Sequence, residues 1–237
     1  MTELSEQSEI AEKIARLFDS RWLRGYVRSK ITRDPVYAAA YERLRHSEHP
    51  VLDLGCGLGL LGLYLRERGF EPDVLGIDSD DKKIAAARRA AEGRYTGLSF
   101  RTGSALSVEE GFRGHVMLLD LVHYFSDADQ TTLLENTIRY RAPGSRVVIR
   151  ECPRDRSWRY RATYLEEWFA TSIGWLRVPM LNFPTKEKIE SVFRENGYRA
   201  EITPLWTGTP FNNHLFVFEA GENAKPLSPP PRGEGQG

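Results

Sequence analysis

A glycine-rich turn directly after a hydrophobic segment is the strongest chemical signal in this sequence. Residues 51–59, VLDLGCGLG, end a predicted strand and carry glycines at positions 55, 57 and 59 just before a predicted helix. Glycine permits positive φ angles and lets backbone N–H groups approach a ligand closely, because it has no Cβ. A dinucleotide-binding turn has the pattern G-x-G-x-x-G, which would require glycine at position 60, where this chain has Leu60. The turn therefore favours a nucleoside over a pyrophosphate.

An acidic residue ends the next predicted strand. Residues 76–78 are Gly-Ile-Asp, about twenty residues after the turn. A carboxylate at this position can accept hydrogen bonds from both hydroxyls of a ribose. Alternatively, the glycines form an ordinary tight turn between a strand and a helix, and Asp78 is the N-cap of the following helix. Both roles are compatible with binding, and the turn and the acid together predict a nucleoside site.

The elements predicted around these residues alternate between strands and helices. Three amphipathic helices come first, at residues 6–18, 21–29 and 35–45, where they could cap the site. From residue 49 onwards, five predicted strands alternate with helices, and two closing strands can pair as an antiparallel hairpin. This alternation predicts an α/β domain with a parallel sheet.

The sequence predicts one main domain with appendages. A chain of 237 residues is long enough for one substantial α/β domain. We assign residues 1–48 to an N-terminal helical cap, 49–220 to the ligand-binding domain and 221–237 to a disordered tail rich in proline and glycine. Within the domain, the aromatic and arginine-rich stretch 153–184 is longer than an ordinary connection, and it is predicted to be a substrate-binding or lid insertion.

Composition and charge disfavour several classes of function. The 33 lysines and arginines balance the 33 aspartates and glutamates, so the net charge gives no general attraction to nucleic acid or to an anionic membrane. No segment approaches the ~20 apolar residues of a membrane span, and the N-terminus lacks the features of a signal peptide, so we expect a cytoplasmic protein. The two cysteines form no Cys-x-x-Cys pair, and we expect no metal site.

These motifs resemble those of class I S-adenosylmethionine (SAM)-dependent methyltransferases. The resemblance is carried by DLGCGLG at 53–59, GIDSD at 76–80 and LLDLVHYF at 118–125, and it covers roughly residues 49–220. It implies a Rossmann-like fold with a seven-stranded, mostly parallel sheet, an antiparallel C-terminal hairpin and N-terminal capping helices. It also implies SAM as the cofactor and S-adenosylhomocysteine (SAH) as its product. The region after the fifth strand is similar to bacterial small-molecule methyltransferases of pigment and secondary metabolism.

The resemblance further implies how individual residues hold the cofactor. Asp53 would hold the methionyl amino group through water, Gly55 and Gly57 would line the methionine and ribose, and Asp78 would bind the ribose hydroxyls. Members of the family often have an aspartate for the adenine amino group at the position of Ser104, so that contact must differ in this chain. The complete predicted cofactor set is Asp53, Gly55, Cys56, Gly57, Gly59, Asp78, Ser79, Ser104, Ala105 and Asp120.

Two neighbouring residues are candidates for catalysis. Methyl transfer from a sulfonium is a direct displacement, so most of the barrier reduction can come from alignment of the acceptor in a dry pocket. A hydroxyl acceptor also benefits from a general base, and His123 follows the fourth strand at the edge of the sheet where ligands bind. Tyr124 is the second candidate. Either residue could instead serve only in packing.

An arginine-rich segment follows the fifth strand. Residues 150–161, RECPRDRSWRYR, combine arginine forks that bind carboxylate or phosphate with aromatic rings that stack on flat groups. One interpretation is a solvated helix start whose arginines pair with Glu151, Asp155, Glu166 and Glu167. The other predicts contacts with the acceptor from Arg154, Trp158, Arg159, Tyr160 and Arg161.

The sequence thus predicts SAM-dependent methyl transfer to a small-molecule, carrier-linked or lipid-linked acceptor, by O-methylation of an anionic or aromatic substrate. A noncatalytic SAM-binding or nucleoside-binding scaffold or sensor is an alternative. Nucleic-acid methylation is disfavoured because no Asn/Asp-Pro-Pro-Tyr motif follows the fourth strand, and an NAD(P) oxidoreductase is disfavoured by Leu60. The sequence leaves open the acceptor and whether the protein is a monomer or a homodimer.

Overall fold

A seven-stranded sheet forms the centre of the molecule. The computed structural model describes residues 3–107, 111–172 and 181–224. The sheet has the strand order β3-β2-β1-β4-β5-β7-β6, in which β1 to β5 pair in parallel and β7 is antiparallel to both of its neighbours. The predicted fold class is therefore confirmed. The strands are β1 (Val51–Leu54), β2 (Val74–Asp78), β3 (Leu98–Thr102), β4 (His115–Leu119), β5 (Val147–Glu151), β6 (Tyr198–Pro204) and β7 (His214–Ala220).

The strand order places a crevice at the carboxyl ends of β1 and β4. β1 pairs with β2 on one side and with β4 on the other, so the chain connections leave β1 and β4 towards opposite faces of the sheet. Open α/β sheets bind ligands at such a switch point. The glycine turn after β1 and the residues after β4 therefore share one side of the molecule.

Helices cover both faces of the sheet, and their ends follow from local sequence. The side chains of Ser20, Asp80, Ser126 and Thr185 each accept backbone N–H groups as N-caps, and Gly69, with φ of +78°, follows the end of one helix. The helices are α1 (Glu3–Ala15), α2 (Arg21–Arg33), α3 (Val36–Leu44), α4 (Leu60–Glu67), α5 (Asp81–Ala91), α6 (Asp127–Tyr140), α7 (Trp158–Ser172) and α8 (Lys186–Glu195), with a 3-10 turn at Val122–Tyr124.

The core consists of two hydrophobic layers, one on each face of the sheet. Alternate residues of a strand point to opposite faces, so Val51 of β1 joins one layer while Leu52 and Leu54 join the other. The first layer includes α1 to α5, and the second includes α6 and α8. In the second layer the rings of Phe193 and Phe218 stack with centroids 3.7 Å apart.

Several boundaries differ from those predicted; α1, for example, spans Glu3–Ala15 rather than residues 6–18. The stretch after β5 contains the helix α7 rather than only an irregular insertion; its residues 173–180 lie outside the described residues. α2 continues to Arg33 because the buried Val27 and Ile31 extend its apolar face by another turn. Residues 221–224 of the predicted tail contact the domain, since the Gly221 N–H donates to the Gly197 carbonyl, whereas 225–237 lie outside the described residues.

Candidate active site

The three glycines of the turn differ in what surrounds them. Gly55, Gly57 and Gly59 all have positive φ, of 76°, 55° and 71°. A Cβ on Gly59 would lie 2.3 Å from the Phe100 ring, and one on Gly55 would lie 2.7 Å from the side chain of Leu121. A Cβ on Gly57 would meet nothing within 4 Å. Gly55 and Gly59 thus serve close packing, whereas Gly57 leaves open space at the edge of the sheet that a ligand can occupy.

The Asp78 carboxylate joins the end of β2 to this turn. One oxygen accepts the Gly57 N–H at 2.8 Å, and the other accepts the Asp80 N–H at 2.8 Å. Asp80, and not Asp78, is the N-cap of α5, so the capping alternative for Asp78 is wrong. Each carboxylate oxygen has a second lone pair, which a ribose hydroxyl could use.

Asp53 and Cys56 lie beneath the turn. Asp53 is buried in β1, and burial together with the nearby Asp78 raises the pKa of its carboxyl to about 8. A cation beside Asp53 would favour its ionised form, which fits the amino group expected at this position. Burial likewise raises the pKa of the Cys56 thiol, so Cys56 is a neutral packing residue.

The other predicted cofactor residues follow β2 and β3. Ser79 and Ser104 are exposed beyond the ends of these strands, and Ala105 is buried next to Ser104. The Ser104 hydroxyl accepts the Leu106 N–H at 3.2 Å, which shapes the turn after β3. These residues lie at the same edge of the sheet as Gly57 and Asp78, because β1, β2 and β3 run in parallel.

Asp120 belongs to a cluster of four charges. It follows β4 with a positive φ of 56°, and its carboxylate pairs with the Arg150 guanidinium of β5. Arg150 also donates to Asp34 at 2.9 Å, and Lys30 of α2 lies 2.8 Å from Asp34 and 3.9 Å from Asp120. Two carboxylates and two cations thus join α2 to the ends of β4 and β5. Burial alone would raise the pKa of Asp34, but Arg150 and Lys30 lower it to about 2.

A cavity of about 310 Å³ lies beside Asp120. Its walls come from α2, the ends of β4 and β5, α7 and the segment before β7, with Phe183 and Phe211 as aromatic surfaces. Five carboxylates and three basic side chains line it, so its formal charge is negative when His123 is neutral. The lining residues with ionisable side chains are Lys30, Arg33, Asp34, Asp120, His123, Arg150, Glu151, Cys152, Glu166 and Glu167.

His123 and Glu151 form a buried pair in the wall of this cavity. The His123 Nδ1 donates to the Glu151 carboxylate at 2.8 Å, and the backbone N–H groups of His123 and Cys152 donate to the same carboxylate. The His123 ring stacks on Phe183 with centroids 4.6 Å apart. Its Nε2 is buried and has no hydrogen-bond partner among the described residues. A neutral His123 can therefore accept a proton at Nε2 while Glu151 holds the ring.

Tyr124 and residues 153–161 of the arginine-rich segment are not among the residues that line the cavity. The Tyr124 hydroxyl donates to Glu167 at 3.1 Å, and burial together with Glu167 raises the pKa of Tyr124, which disfavours a phenolate base. Arg154, Trp158 and Arg161 are exposed. Arg159 stacks on Trp158 and Trp206 and donates to the Thr209 carbonyl, and Tyr160 packs edge-on against Phe183.

The sequence reasoning missed the charged residues that α2 and β5 bring to the site. One interpretation of the arginine-rich segment pairs Glu151 with its arginines; the structure instead buries the Glu151 carboxylate against His123. Lys30 and Asp34 reach the site only because α2 docks beside β5. One signal was available: two adjacent charges, Arg150 and Glu151, end a strand that is otherwise apolar. Buried charges need partners, so these two indicated an ionic site.

Outside this cavity, the part of the chain that the structure describes gives no second site for the same chemistry. Among the described residues, no helix is long and apolar enough to cross a bilayer, and no group of His, Cys, Asp and Glu is arranged to hold a metal ion. A larger concavity of about 500 Å³ lies at the amino ends of β2 and β3, and its walls include Asp73 and Arg113. It is at the opposite edge of the sheet from Gly57, Asp78 and His123.

Comparison with known proteins gives consistent results. Residues 51–144 match the family described as methyltransferase domain. The chain is 27% identical over 184 residues to demethylmenaquinone methyltransferase of Deinococcus radiodurans, covering 72% of this chain and 76% of that protein. It is 32% identical over 110 residues to ubiquinone biosynthesis O-methyltransferase of Sinorhizobium fredii, covering 44% of this chain and 42% of that protein.

A solved structure resembles the fold over most of its length. Magnesium protoporphyrin IX methyltransferase from Synechocystis PCC 6803, in a structure with bound SAH, aligns with a TM-score of 0.62 at 17% sequence identity. The alignment covers 91% of this chain and 96% of that chain. At this identity the likeness concerns the fold.

Proposed function

We propose that the chain, a SAM-dependent methyltransferase with the class I fold, methylates a hydroxyl group of a small aromatic acceptor with His123 as the general base. The family match, the methyltransferase relatives and the fold support methyl transfer from SAM. The acceptor class and the role of His123 are our inference from the cavity. The unpartnered Nε2 of a buried, carboxylate-held histidine is the observation that carries it.

The residues at the glycine turn fit the cofactor. We propose that Asp78 binds the ribose hydroxyls, that Gly57 leaves room for the nucleoside, and that the Asp53 carboxylate, through water, stabilises the methionyl amino group. Asp120 is the residue common to the predicted cofactor set and the acceptor cavity. When SAM is bound, its sulfonium supplies the methyl group. The protein's own task is then to align the acceptor, exclude water and remove a proton.

His123 has the geometry of a general base. Because Glu151 fixes the proton on Nδ1, the neutral ring has its lone pair on Nε2, and His123 is in the cavity wall. A hydroxyl that donates to Nε2 becomes more nucleophilic as it loses its proton in the transition state. Glu151 also stabilises the imidazolium that forms, since its carboxylate is buried beside the ring. Glu151 therefore acts as a positioning residue.

The pKa of His123 sets the expected pH dependence. Burial alone would lower the pKa, but Glu151, with Glu167 and Asp120, raises it above its usual value. The ring must be neutral to accept a proton. Activity should therefore rise with pH through a pKa above about 6.5, the ordinary value for histidine.

The walls of the cavity favour a neutral aromatic acceptor over an anionic one. Carboxylates outnumber basic side chains there, and Lys30 and Arg150 are already paired with Asp34 and Asp120. The stacked rings of His123 and Phe183 offer a flat surface for an aromatic ring. Demethylmenaquinone and ubiquinone-biosynthesis methyltransferases among the relatives support an acceptor related to a hydroquinone or catechol.

A labelled-SAM assay over catechols, hydroquinones and other phenols tests this function. With the best acceptor, His123→Ala should lower kcat by about 10²–10⁴-fold while leaving SAH affinity unchanged, because the ring acts on the acceptor. Glu151→Gln should lower kcat and shift the pH profile, since it removes the charge beside the imidazole. Tyr124→Phe is the matched control and should keep wild-type kcat.

The assignment of the base fails if His123→Ala keeps wild-type kcat and the wild-type pH profile. Calorimetry with SAH accompanies each variant, so that a loss of cofactor binding is separated from a loss of chemistry. Transfer of the label to carbon, at a ring position without a hydroxyl, would instead assign C-methylation.

A further inference from the structure

Helix α7 has two chemically different faces. Successive residues of a helix are about 100° apart, so positions 158, 161, 164, 165 and 168 share one side. Four large apolar or aromatic side chains on this side are exposed: Trp158 by 62%, Tyr164 by 43%, Leu165 by 63% and Trp168 by 53%. Arg161 is exposed among them. We call these five residues the outer face of α7.

The inner face of the same helix borders the acceptor cavity. Thr163, Glu166 and Glu167 line that cavity, so the acidic side chains of α7 serve the cavity and not the outer face. Two further arginines, Arg154 and Arg156, are exposed just before the helix. Asp155 between them accepts hydrogen bonds from the Ser157 N–H and the Asn212 side chain. The outer face is thus apolar and cationic.

This combination matches the chemistry of an anionic lipid surface. Tryptophan places its ring at the boundary between hydrocarbon and headgroups, and leucine enters the hydrocarbon. Arginine can extend its charge to lipid phosphates while its stem covers apolar surface. An acidic protein would satisfy the arginines, but it would not by itself explain an exposed leucine flanked by two tryptophans on one helix.

The zero net charge of the whole chain is compatible with binding of this face to an anionic lipid surface. Exposed charges act over about 8 Å at physiological ionic strength, so the local distribution decides. α2, which borders the same cavity through Lys30 and Arg33, has five basic residues and no acidic one. Basic residues are therefore concentrated on α2 and, with Arg154 and Arg156, in the segment just before α7.

We propose that the outer face of α7 binds an anionic membrane surface, so that an acceptor dissolved in the bilayer reaches the cavity on the other side of the same helix. Delivery of the acceptor from the bilayer to the cavity rests on the proposed function, because it needs a hydrophobic aromatic acceptor. Binding of the outer face to the membrane surface does not depend on that function. Membrane association here is peripheral, through one helix face.

Sedimentation with vesicles tests the proposal without acceptor or cofactor. The full chain is mixed with vesicles of phosphatidylcholine alone and with vesicles that also contain phosphatidylglycerol. Wild-type protein should bind the anionic vesicles, with a blue shift of tryptophan emission, and should bind the neutral vesicles at least about ten-fold more weakly. Because the assay includes no turnover, its outcome is independent of whether His123 is the base.

Two sets of substitutions separate charge from insertion. Arg154→Glu, Arg156→Glu and Arg161→Glu together should weaken binding by more than about ten-fold, since each basic residue contributes roughly a five-fold factor. Trp158→Ser with Leu165→Ser should weaken it similarly by removing the inserted side chains. The matched control is Arg94→Glu, Arg113→Glu and Arg199→Glu, which makes the same charge change at exposed positions near the amino edge of the sheet.

Circular dichroism and SAH affinity establish that each variant is folded. Absence of binding to both vesicle types overturns the proposal. So does equal weakening by the control set, which would mean that only net charge matters. Full binding by the Trp158→Ser/Leu165→Ser variant also overturns it, because the outer face would then serve another partner, such as an acidic protein. Leu165→Ser alone provides the test if the larger sets fail to fold, since Leu165 is on the surface.

Discussion

At the scale of single residues, the glycines of the turn differ in role: Gly57 leaves space for a ligand, whereas Gly59 serves packing. Gly57 and Gly69 both have positive φ, and neither would bring a Cβ within 4 Å of another atom. They differ in position, because Gly57 lies at the edge of the sheet proposed to bind the cofactor, whereas Gly69 follows the end of α4 at the opposite edge. Gly59 instead has the Phe100 ring in contact distance.

Gly57→Ala should therefore weaken SAH binding strongly while costing about 1–2 kcal/mol of stability through backbone strain alone. Gly69→Ala should cost a similar amount of stability with no change in SAH affinity. Calorimetric titration with SAH and urea unfolding measure the two effects. Equal SAH affinity in both variants would show that the turn does not border the cofactor.

At the scale of elements, the cluster of four charges docks α2 onto the sheet. Asp34 ends α2, and its Oδ1 accepts the Val36 N–H at the start of α3, while its Oδ2 pairs with Arg150 and Lys30. Arg150 is 4% exposed. A buried guanidinium needs its counter-charges, so the position of the helical cap depends on this contact.

Asp34→Asn should lower the free energy of unfolding by about 3–5 kcal/mol, because it leaves the buried Arg150 and the partly exposed Lys30 with one carboxylate. Amide hydrogen exchange in α2 should become faster. Asp19→Asn is the control: the Asp19 side chain is 94% exposed, and its loss should change stability by no more than about 0.5 kcal/mol. A cost for Asp34→Asn as small as that of the control would mean that α2 is held by its apolar face alone.

At the scale of the whole molecule, His115 links the cap to the sheet. It begins β4, is 1% exposed, bonds Ser47 after α3 through Nε2 at 2.6 Å, and accepts the Arg146 N–H before β5 through Nδ1 at 2.9 Å. Burial, with His49 and Arg146, lowers the pKa of His115 to about 4. The unfolded chain takes up this proton near pH 6.5, whereas the folded chain does so only near pH 4.

Stability should therefore fall as the pH falls from about 6.5 to about 4, by up to roughly 3 kcal/mol from this residue. Urea unfolding at a series of pH values measures the free energy of unfolding. The contribution of His115 is the difference in its pH dependence between the wild type and His115→Gln. His46→Gln, at an exposed position, should leave the slope unchanged. An identical slope in His115→Gln would assign the acid sensitivity to other groups.

Local sequence was sufficient to predict the fold and the proposed cofactor half of the site. The alternation of strands and helices, the N-caps and the glycine turn depend on neighbours within a few residues, and only one helix and one strand separate the turn from Asp78. For this reason the strands, most helix ends and the Rossmann-like class were predictable. The extent of α7 was not, because four of its large apolar or aromatic side chains are exposed and therefore form no buried apolar stripe.

The acceptor half was decided by tertiary structure, because its residues come from distant parts of the chain. His123 could be suspected from its place after β4, but Glu151 becomes its partner only because β4 and β5 pair in parallel. Asp34 joins Arg150 across 116 residues of sequence, and Lys30 lies in the same cluster. Such ion pairs have no local signal, since a charge is stabilised in the interior only by the partners that the fold brings to it.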